Sequence, residues 1–353
     1  MKLVLSHRSA LEYWRSVGTL RLPRPKPTRA RTPGGRIAGT EVLALCRAHA
    51  LSIPLHLLVS KSERRFRTPD VVYHARDELL PQGSIAMIDD GLFVVSPDLA
   101  FLQKAANEGF VELVDAGYEL CGTYTPSKTP SDRDFDQIPQ TTPAKLSSYV
   151  EKAGTMRGVA QARRALRHVL PDSASPAETA LSMLLTLPYQ QGGCSLSYPQ
   201  LNYRIDPGKH ARKNVSQNYY RCDLFWDKAN LAVEYDSNLC HTGAERIARD
   251  SKRRDELLEL GVTVVTVTAG QLFNFQEFNK MARTVAKRLG ERIQPRNDNF
   301  ATRQLALRSI LLAKLERPSL KPPVPSARSR ILCASQAASF EQKGAEGSAE
   351  PPT

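Results

Sequence analysis

Residues 219–237 read Tyr219-Tyr220-Arg221-Cys222-Asp223-Leu224-Phe225-Trp226-Asp227-Lys228-Ala229-Asn230-Leu231-Ala232-Val233-Glu234-Tyr235-Asp236-Ser237. Two runs rich in aromatic and aliphatic residues, 219–227 and 230–237, are joined by the short Asp227-Lys228-Ala229-Asn230. That pattern predicts a tight antiparallel pair of strands. Acids interrupt both runs. Asp223 sits among Cys222, Leu224 and Phe225, and a period of two puts Glu234 and Asp236 on one face, opposite Val233 and Tyr235. In such a pair Asp223 and Asp236 flank Glu234. Neighbouring ionised carboxylates repel, so a compensating cation is expected, and hard oxygen donors select Mg²⁺ or Mn²⁺ rather than zinc.

Outward from this pair the periodicity predicts a helix at 176–187, a strand near 198–205, a helix at 242–260 closed by Gly261, a strand at 262–268 and a helix at 270–289. Val262-Thr263-Val264-Val265-Thr266-Val267-Thr268 reads as a buried strand. Ser175-Pro176-Ala177-Glu178 has the form of a capping box, so Glu178 reads as a cap, a catalytic acid or both. Asp250, Arg253, Arg254 and Asp255 read as a solvated helix face with i,i+3 and i,i+4 pairs, or as part of a phosphate-binding surface. Cys194, Cys222, Cys240 and His241 are too irregularly spaced for a zinc set.

Glu178, then Asp223-X10-Glu234-X-Asp236, then His241, Asp250 and Arg253 or Arg254, resembles the PD-(D/E)XK nuclease superfamily, in the branch related to the very-short-patch-repair endonuclease. The likeness covers 175–290. It implies catalytic roles for Glu178, Asp223, Glu234, Asp236 and His241. It further implies that Asp223 and Glu234, with the Tyr235 carbonyl, bind Mg²⁺ or Mn²⁺, while Glu178 anchors a second ion or its water. The sequence departs from the superfamily at 236, where Asp stands in place of the usual Lys, and at 222, where Cys replaces Pro. That lysine orients the attacking water. His241, Lys252 or Arg253 is left to substitute, His241 first because this branch uses a histidine; lost activity is the alternative.

The chain has 353 residues, enough for two domains with linkers. With 41% hydrophobic and 24% charged residues it has the composition of a folded protein, which excludes wholesale disorder. No apolar run approaches the roughly 18 residues of a membrane span, and Met1–Leu5 is too short for a secretory core, so no membrane is expected. Six cysteines without a CxxC pair do not form a disulfide framework, and a reducing cytoplasm is the expected location. Lys and Arg number 49 against 36 Asp and Glu, a formal +13. The excess is uneven: residues 1–36 hold nine bases and one acid, whereas 37–122 hold seven bases and twelve acids. A basic segment beside an acidic block points to a polyanion, and DNA is the expected partner.

The organisation follows from these shifts. Residues 1–36 are expected to form a short helix, opened by Ser9 and Glu12 as a capping box, and a basic Pro/Arg-rich arm with Arg24, Arg29 and Arg31 facing phosphates. Residues 37–122 read as a small α+β domain with a helix from Thr40, strands at 54–60 and 70–76, a hairpin about Asp89-Asp90-Gly91, and helices from Ser96 and Gly109. His49, His56 and His74 read there as structural or surface residues without partners at ligand spacing. Residues 123–146 read as a linker and 151–170 as one Arg-rich amphipathic helix. The restriction-endonuclease-like domain is assigned to 147–294, a C-terminal helix to 295–317 and a disordered tail to 318–353. The fold class is α/β: a C-terminal restriction-endonuclease-like domain, its mixed β-sheet flanked by helices, preceded by the small α+β domain.

The order over 37–122, with Val71-Val72-Tyr73-His74 and Ser96-Pro97-Asp98-Leu99-Ala100-Phe101-Leu102, is similar to the antitoxin of the abortive-infection E type of toxin–antitoxin system. This implies a defence setting and a cognate toxin or defence partner. Two functions are carried forward. One is a Mg²⁺-dependent DNA endonuclease of a bacterial defence or mobile-element type, with Arg246, Arg249, Lys252, Arg253 and Arg254 on the phosphate backbone. The other is a non-catalytic DNA-binding regulator or antitoxin on a degenerate nuclease fold.

Overall fold

The first elements are a strand, Leu3–Leu5 (β1), and a helix, His7–Ser16 (α1). Lys26–Pro27 (β2), Gly39–Ala48 (α2), Leu55–Val59 (β3), Val71–Ala75 (β4) and the hairpin Ile85–Asp89 (β5) and Leu92–Val95 (β6) follow. In this computed structural model residues 2–17, 24–61, 68–125, 137–209, 211–236, 244–296 and 298–315 are described, those at 244–247 by backbone only. The six strands form one mixed sheet in the order β2-β5-β6-β1-β3-β4. β1 lies inside it, parallel to β6 and antiparallel to β3, with Val4 and Leu5 fully buried.

The segment 1–36, expected as a short helix and a basic arm, carries the helix at His7–Ser16, and its other described residues are tied into the fold. Its first residues are core, because Leu3-Val4-Leu5 supplies an apolar strand to the middle of a sheet. The rest is tied down rather than free: Lys2 Nζ donates to the Thr32 carbonyl, Arg31 Nε to the Leu80 carbonyl and Arg24 Nη2 to the Ile138 carbonyl, while Arg29 is exposed. Residues 18–23 lie outside the described residues. The Ser9–Glu12 capping box does not form. The helix starts at His7, Ser9 Oγ accepts the His56 N–H at 2.9 Å, and Glu12 accepts the Ser52 N–H and pairs with Arg8. Both polar side chains find tertiary partners that local spacing does not reveal. Thr40 is likewise no cap, since α2 begins at Gly39 after Ala38.

His56 and His74, expected to stand alone, are hydrogen-bonded at 3.0 Å between Nδ1 and Nε2, and His7 stacks on His74 with ring centres 3.4 Å apart. Burial holds all three below the ordinary histidine range, His7 at about 3 and His74 at about 4.

Helices Pro97–Ala105 (α3) and Phe110–Cys121 (α4) come next, α3 capped by Ser96 Oγ accepting the Leu99 N–H. The expected linker at 123–146 is shorter than its composition suggests. Residues 126–136 lie outside the described residues, but the Gln140 and Thr141 amides donate to the Leu120 carbonyl and a helix starts at Pro143. The single helix expected over 151–170 is two, Pro143–Lys152 (α5) and Val159–Leu166 (α6). They are separated by Gly154 and Gly158, both at positive φ. At Gly158 a Cβ would meet Leu102 O at 2.9 Å and Ala106 N at 2.8 Å, so only glycine lets the chain pass this close to α3.

The C-terminal part runs Pro176–Thr186 (α7), Gln200–Ile205 (β7), Tyr220–Trp226 (β8), Leu231–Asp236 (β9), Ala244–Glu259 (α8), Thr263–Thr268 (β10), Ala269–Phe273 (α9), Phe275–Leu289 (α10) and Phe300–Leu312 (α11). Its sheet has the order β10-β9-β8-β7, with β7–β8 and β8–β9 antiparallel and β9–β10 parallel. The fold is thus mixed α/β, with mixed sheets flanked by helices. Two separate domains are not what the packing gives: residues 1–316 belong to one unit, and one apolar core runs from Val4 through α4 and α7 to Leu311. Tyr118 on α4 meets Ser182 on α7 at 3.1 Å, Tyr124 meets Thr179 at 3.0 Å, and α11 packs on both α4 and α7. Each fully buried Leu of α7 contributes about 1.5–3 kcal/mol by leaving water, and α4 links α3 and α6 to α7, which packs on β8. The tail expected at 318–353 lies outside the described residues. Among the described residues no helix is long and apolar enough to cross a membrane.

Candidate functional site at a fork in the sheet

β8 and β9 pair as Trp226↔Leu231, Phe225↔Ala232 and Leu224↔Val233, and the ladder stops there. β8 continues on β7 back to Tyr220, while β9 continues on β10 out to Asp236↔Thr268. The sheet therefore forks, and the next rung would have joined Asp223 to Glu234. In its place the Asp223 carboxylate accepts the Tyr235 N–H at 2.7 Å. A side chain has substituted for a backbone acceptor, which satisfies the half-buried N–H while letting the strands part.

Glu178 reaches the fork from the first turn of α7, which packs against β8. Of the expected capping box only the Ser175 half forms, with Ser175 Oγ accepting the Glu178 N–H at 3.2 Å, and the Glu178 carboxylate turns to the neighbouring Ala174 amide at 2.9 Å. Glu178 is also buried and within electrostatic range of Asp223. Burial, and then the Asp223 charge, push Glu178 up to about 8. Burial raises Asp223 to about 6, with Glu234 adding to the rise and the Tyr235 N–H and Arg253 opposing it.

Glu234 is neutralised differently. Arg253 on α8 places Nη2 2.6 Å from Glu234 Oε1, and the same nitrogen donates to the Arg221 carbonyl at 2.6 Å. Its guanidinium carbon lies 5.8 Å from the Tyr220 ring centre. Beside them the buried Cys222 thiol is pushed up to about 12 by burial and then by Glu234. One turn further along α8 from Arg253, the buried Glu256 accepts the Tyr220 hydroxyl at 2.7 Å and the Ser216 N–H at 3.0 Å, which locks α8 against the segment entering β8.

The fork thus brings together Glu178, Asp223 and Glu234 of the five expected catalytic residues. Asp236 ends β9 and contributes to raising Tyr235. His241 and Cys240 lie outside the described residues. Of the expected phosphate contacts on α8, Arg249, Lys252 and Arg254 are exposed, and the side chain of Arg246 lies outside the described residues. Arg253 is turned inward instead. Sequence reasoning missed the Tyr235 amide and the specific partnership of Arg253. The first depends on where a ladder ends and the second on which face of α8 meets β8, and neither leaves a spacing signal. It also missed the cluster on β7 and at the start of β8 in which Arg204, ion-paired to Asp206, lies 4.4 Å and Arg221 5.9 Å from the centre of the half-exposed Tyr219 ring.

The donor chemistry fits a hard divalent cation, since oxygen anions raised by burial and by a neighbouring carboxylate are relieved by positive charge. The arrangement is only partly ready for one. Among the described residues no three His, Cys, Asp or Glu side chains form a group that could hold a metal ion, and Glu234 is already paired to Arg253.

Among curated proteins the chain is similar to two uncharacterised proteins of Mycobacterium tuberculosis, from strains CDC 1551 / Oshkosh and ATCC 25618 / H37Rv. Each is 28% identical over 146 residues, which is 41% of this chain and 48% of the relative. The chain spans about half the length of the curated relatives it matches. No protein-family profile matches it, and no solved structure matches it.

Proposed function

We propose that the fork is the active site of a metal-dependent DNA endonuclease with a restriction-endonuclease-like C-terminal half, acting in bacterial defence or on mobile elements. The observation that carries the reading is the meeting of Glu178, Asp223 and Glu234 at the point where β8 and β9 part. Glu178 and Asp223 are raised above the ordinary carboxylate range by burial first and then by a neighbouring acid, Asp223 acting on Glu178 and Glu234 on Asp223, a cost that a stabilising role alone does not explain. Asp223 and Glu234, with the Tyr235 carbonyl, would hold Mg²⁺ or Mn²⁺, and Glu178 would complete the charge. A bound divalent ion supplies charge neutralisation at the scissile phosphate and a water of lowered pKa.

The chain's own residues do the rest. The Tyr235 amide fixes the Asp223 carboxylate, and the Ala174 amide with the Ser175 cap fixes Glu178. The exposed Arg249, Lys252 and Arg254 on α8 offer phosphate contacts that align the backbone without reading bases. His241, in the segment after Asp236, is proposed to take the place of the absent lysine. Plasmid nicking in Mg²⁺ or Mn²⁺, abolished by EDTA and by Glu234→Ala, is the test. A protein that binds DNA and never cuts it in either ion overturns the reading.

A second reading has one observation in its favour. The Arg253–Glu234 pair leaves the acids partly neutralised without any metal, as expected of a DNA-binding regulator or antitoxin on a nuclease-like scaffold, with a cognate toxin as its protein partner.

A further inference from the structure

We infer that Arg253 is the resident counter-cation of the fork, a positioning residue that holds Glu234 while no ion is bound and competes with a divalent cation for it. The inference rests on the nuclease reading above. An arginine waiting for phosphate keeps its donors in water. Arg253 instead shares Nη2 between Glu234 Oε1 and the Arg221 carbonyl, both at 2.6 Å, and lies over the Tyr220 ring. It is held by groups from both strands, one on each side of the fork.

The charges that face it are from β8 Asp223, with the Cys222 thiol beside it, and from β9 Glu234. On its own helix Glu256 is engaged by Tyr220 and Ser216, and Lys252 and Arg254 are exposed. A guanidinium carries donors only and cannot share Oε1 of Glu234 with a cation at full strength. Uptake of an ion at Glu234 therefore requires Arg253 to let go of that oxygen, while the Arg221 carbonyl keeps it at the rim. Arg253 would then sit beside the entering phosphate.

The test is calorimetric titration of the full chain with Mn²⁺, without DNA, comparing wild type with Arg253→Met and Arg253→Gln; the Gln variant keeps a donor for the Arg221 carbonyl. Removing the competing charge should tighten Mn²⁺ binding at least tenfold in both variants. Without ion they should melt below wild type, and saturating Mn²⁺ should close most of that gap. In wild type, Mg²⁺ should also shift the guanidinium nitrogen resonances of Arg253, a readout that needs no variant to fold. Equal or weaker Mn²⁺ binding by a folded variant, or guanidinium resonances unmoved by bound Mg²⁺, overturns the inference and leaves the nuclease reading in place. Absence of ion uptake by wild type and variants alike overturns the nuclease reading and the inference with it.

Discussion

The Asp223 carboxylate accepts the Tyr235 N–H in the place where the next backbone rung between β8 and β9 would stand. One residue thereby ends a ladder and supplies a charge at the end of it. Its two duties separate by substitution. Asp223→Asn keeps an acceptor for Tyr235 and removes the anion, so fold and DNA binding should survive while cleavage falls to background. Glu234→Ala should also abolish cleavage, and His241→Ala should lower the rate with ion binding retained. A nicking assay run beside DNA-binding titrations separates these outcomes.

Stability should fall with rising pH through the titration of the fork. Glu178 and Asp223 have ordinary values of 4.5 and 3.8 and are raised to about 8 and about 6 in the fold. Across that interval the folded protein holds more protons than the unfolded one. Their contribution is complete below the lower pair of values and is lost as pH climbs through the higher pair. Urea midpoints of Glu178→Gln and wild type should nearly coincide at about pH 5, with the variant the more stable at about pH 8, where the wild-type carboxyl must ionise in a buried site. A gap that does not widen with pH would show that Glu178 is not perturbed.

Arg15 should be among the costliest charges to remove. It grips the buried Glu119 on α4 with both Nε and Nη2, at 2.6 and 3.0 Å. Burial pushes Glu119 upward, and the Arg15 charge and hydrogen bond, with Lys314 and Lys104, together outweigh it and hold the carboxyl below its ordinary range. Arg15→Ala takes the nearest cation from that anion, a loss of about 1–3 kcal/mol for a pair whose arginine is partly exposed. Arg15→Ala combined with Glu119→Leu should recover most of it, measured by denaturant unfolding.

Gly158→Ala tests the close approach of the α5–α6 turn to α3. The substitution meets both a positive φ and backbone atoms within 3.0 Å, so a loss of about 1–3 kcal/mol is expected. Gly154→Ala, with open space around it, should cost less, and the difference between the two variants isolates the contact from the strained φ.

The C-terminal half was legible because its signals are local and long. Val262–Thr268 is too β-branched to be anything but a strand, and Asp227-Lys228-Ala229-Asn230 is too short to join strands other than antiparallel. Pro176 after Ser175 marks where α7 begins. What escaped the sequence depends on the third dimension. Leu3–Leu5 is too short to show a period, so its basic and proline-rich sequel set the expectation for the whole segment. Ser9 and Glu12 carry a capping pattern but spend their oxygens on His56 and Ser52. Arg253 differs from Arg249 and Arg254 only in the face of α8 it occupies. That face is decided by Leu257 and Glu256, which turn the helix inward against Val262 and Tyr220.

The packing of α4 on α7 and α11 also bears on how such a chain can be exchanged by recombination. A crossover between 122 and 143, the stretch whose composition reads as a seam, would hand α4 to one descendant and its partners α7 and α11 to the other. Each would inherit an unmatched apolar helix face, and the Asp115–Lys314 pair that ties α4 to the end of α11 would be divided. The N-terminal and C-terminal parts are thus inherited together, and a chimera that swaps either must carry residues 110–121 along with the matching faces of 176–186 and 300–312.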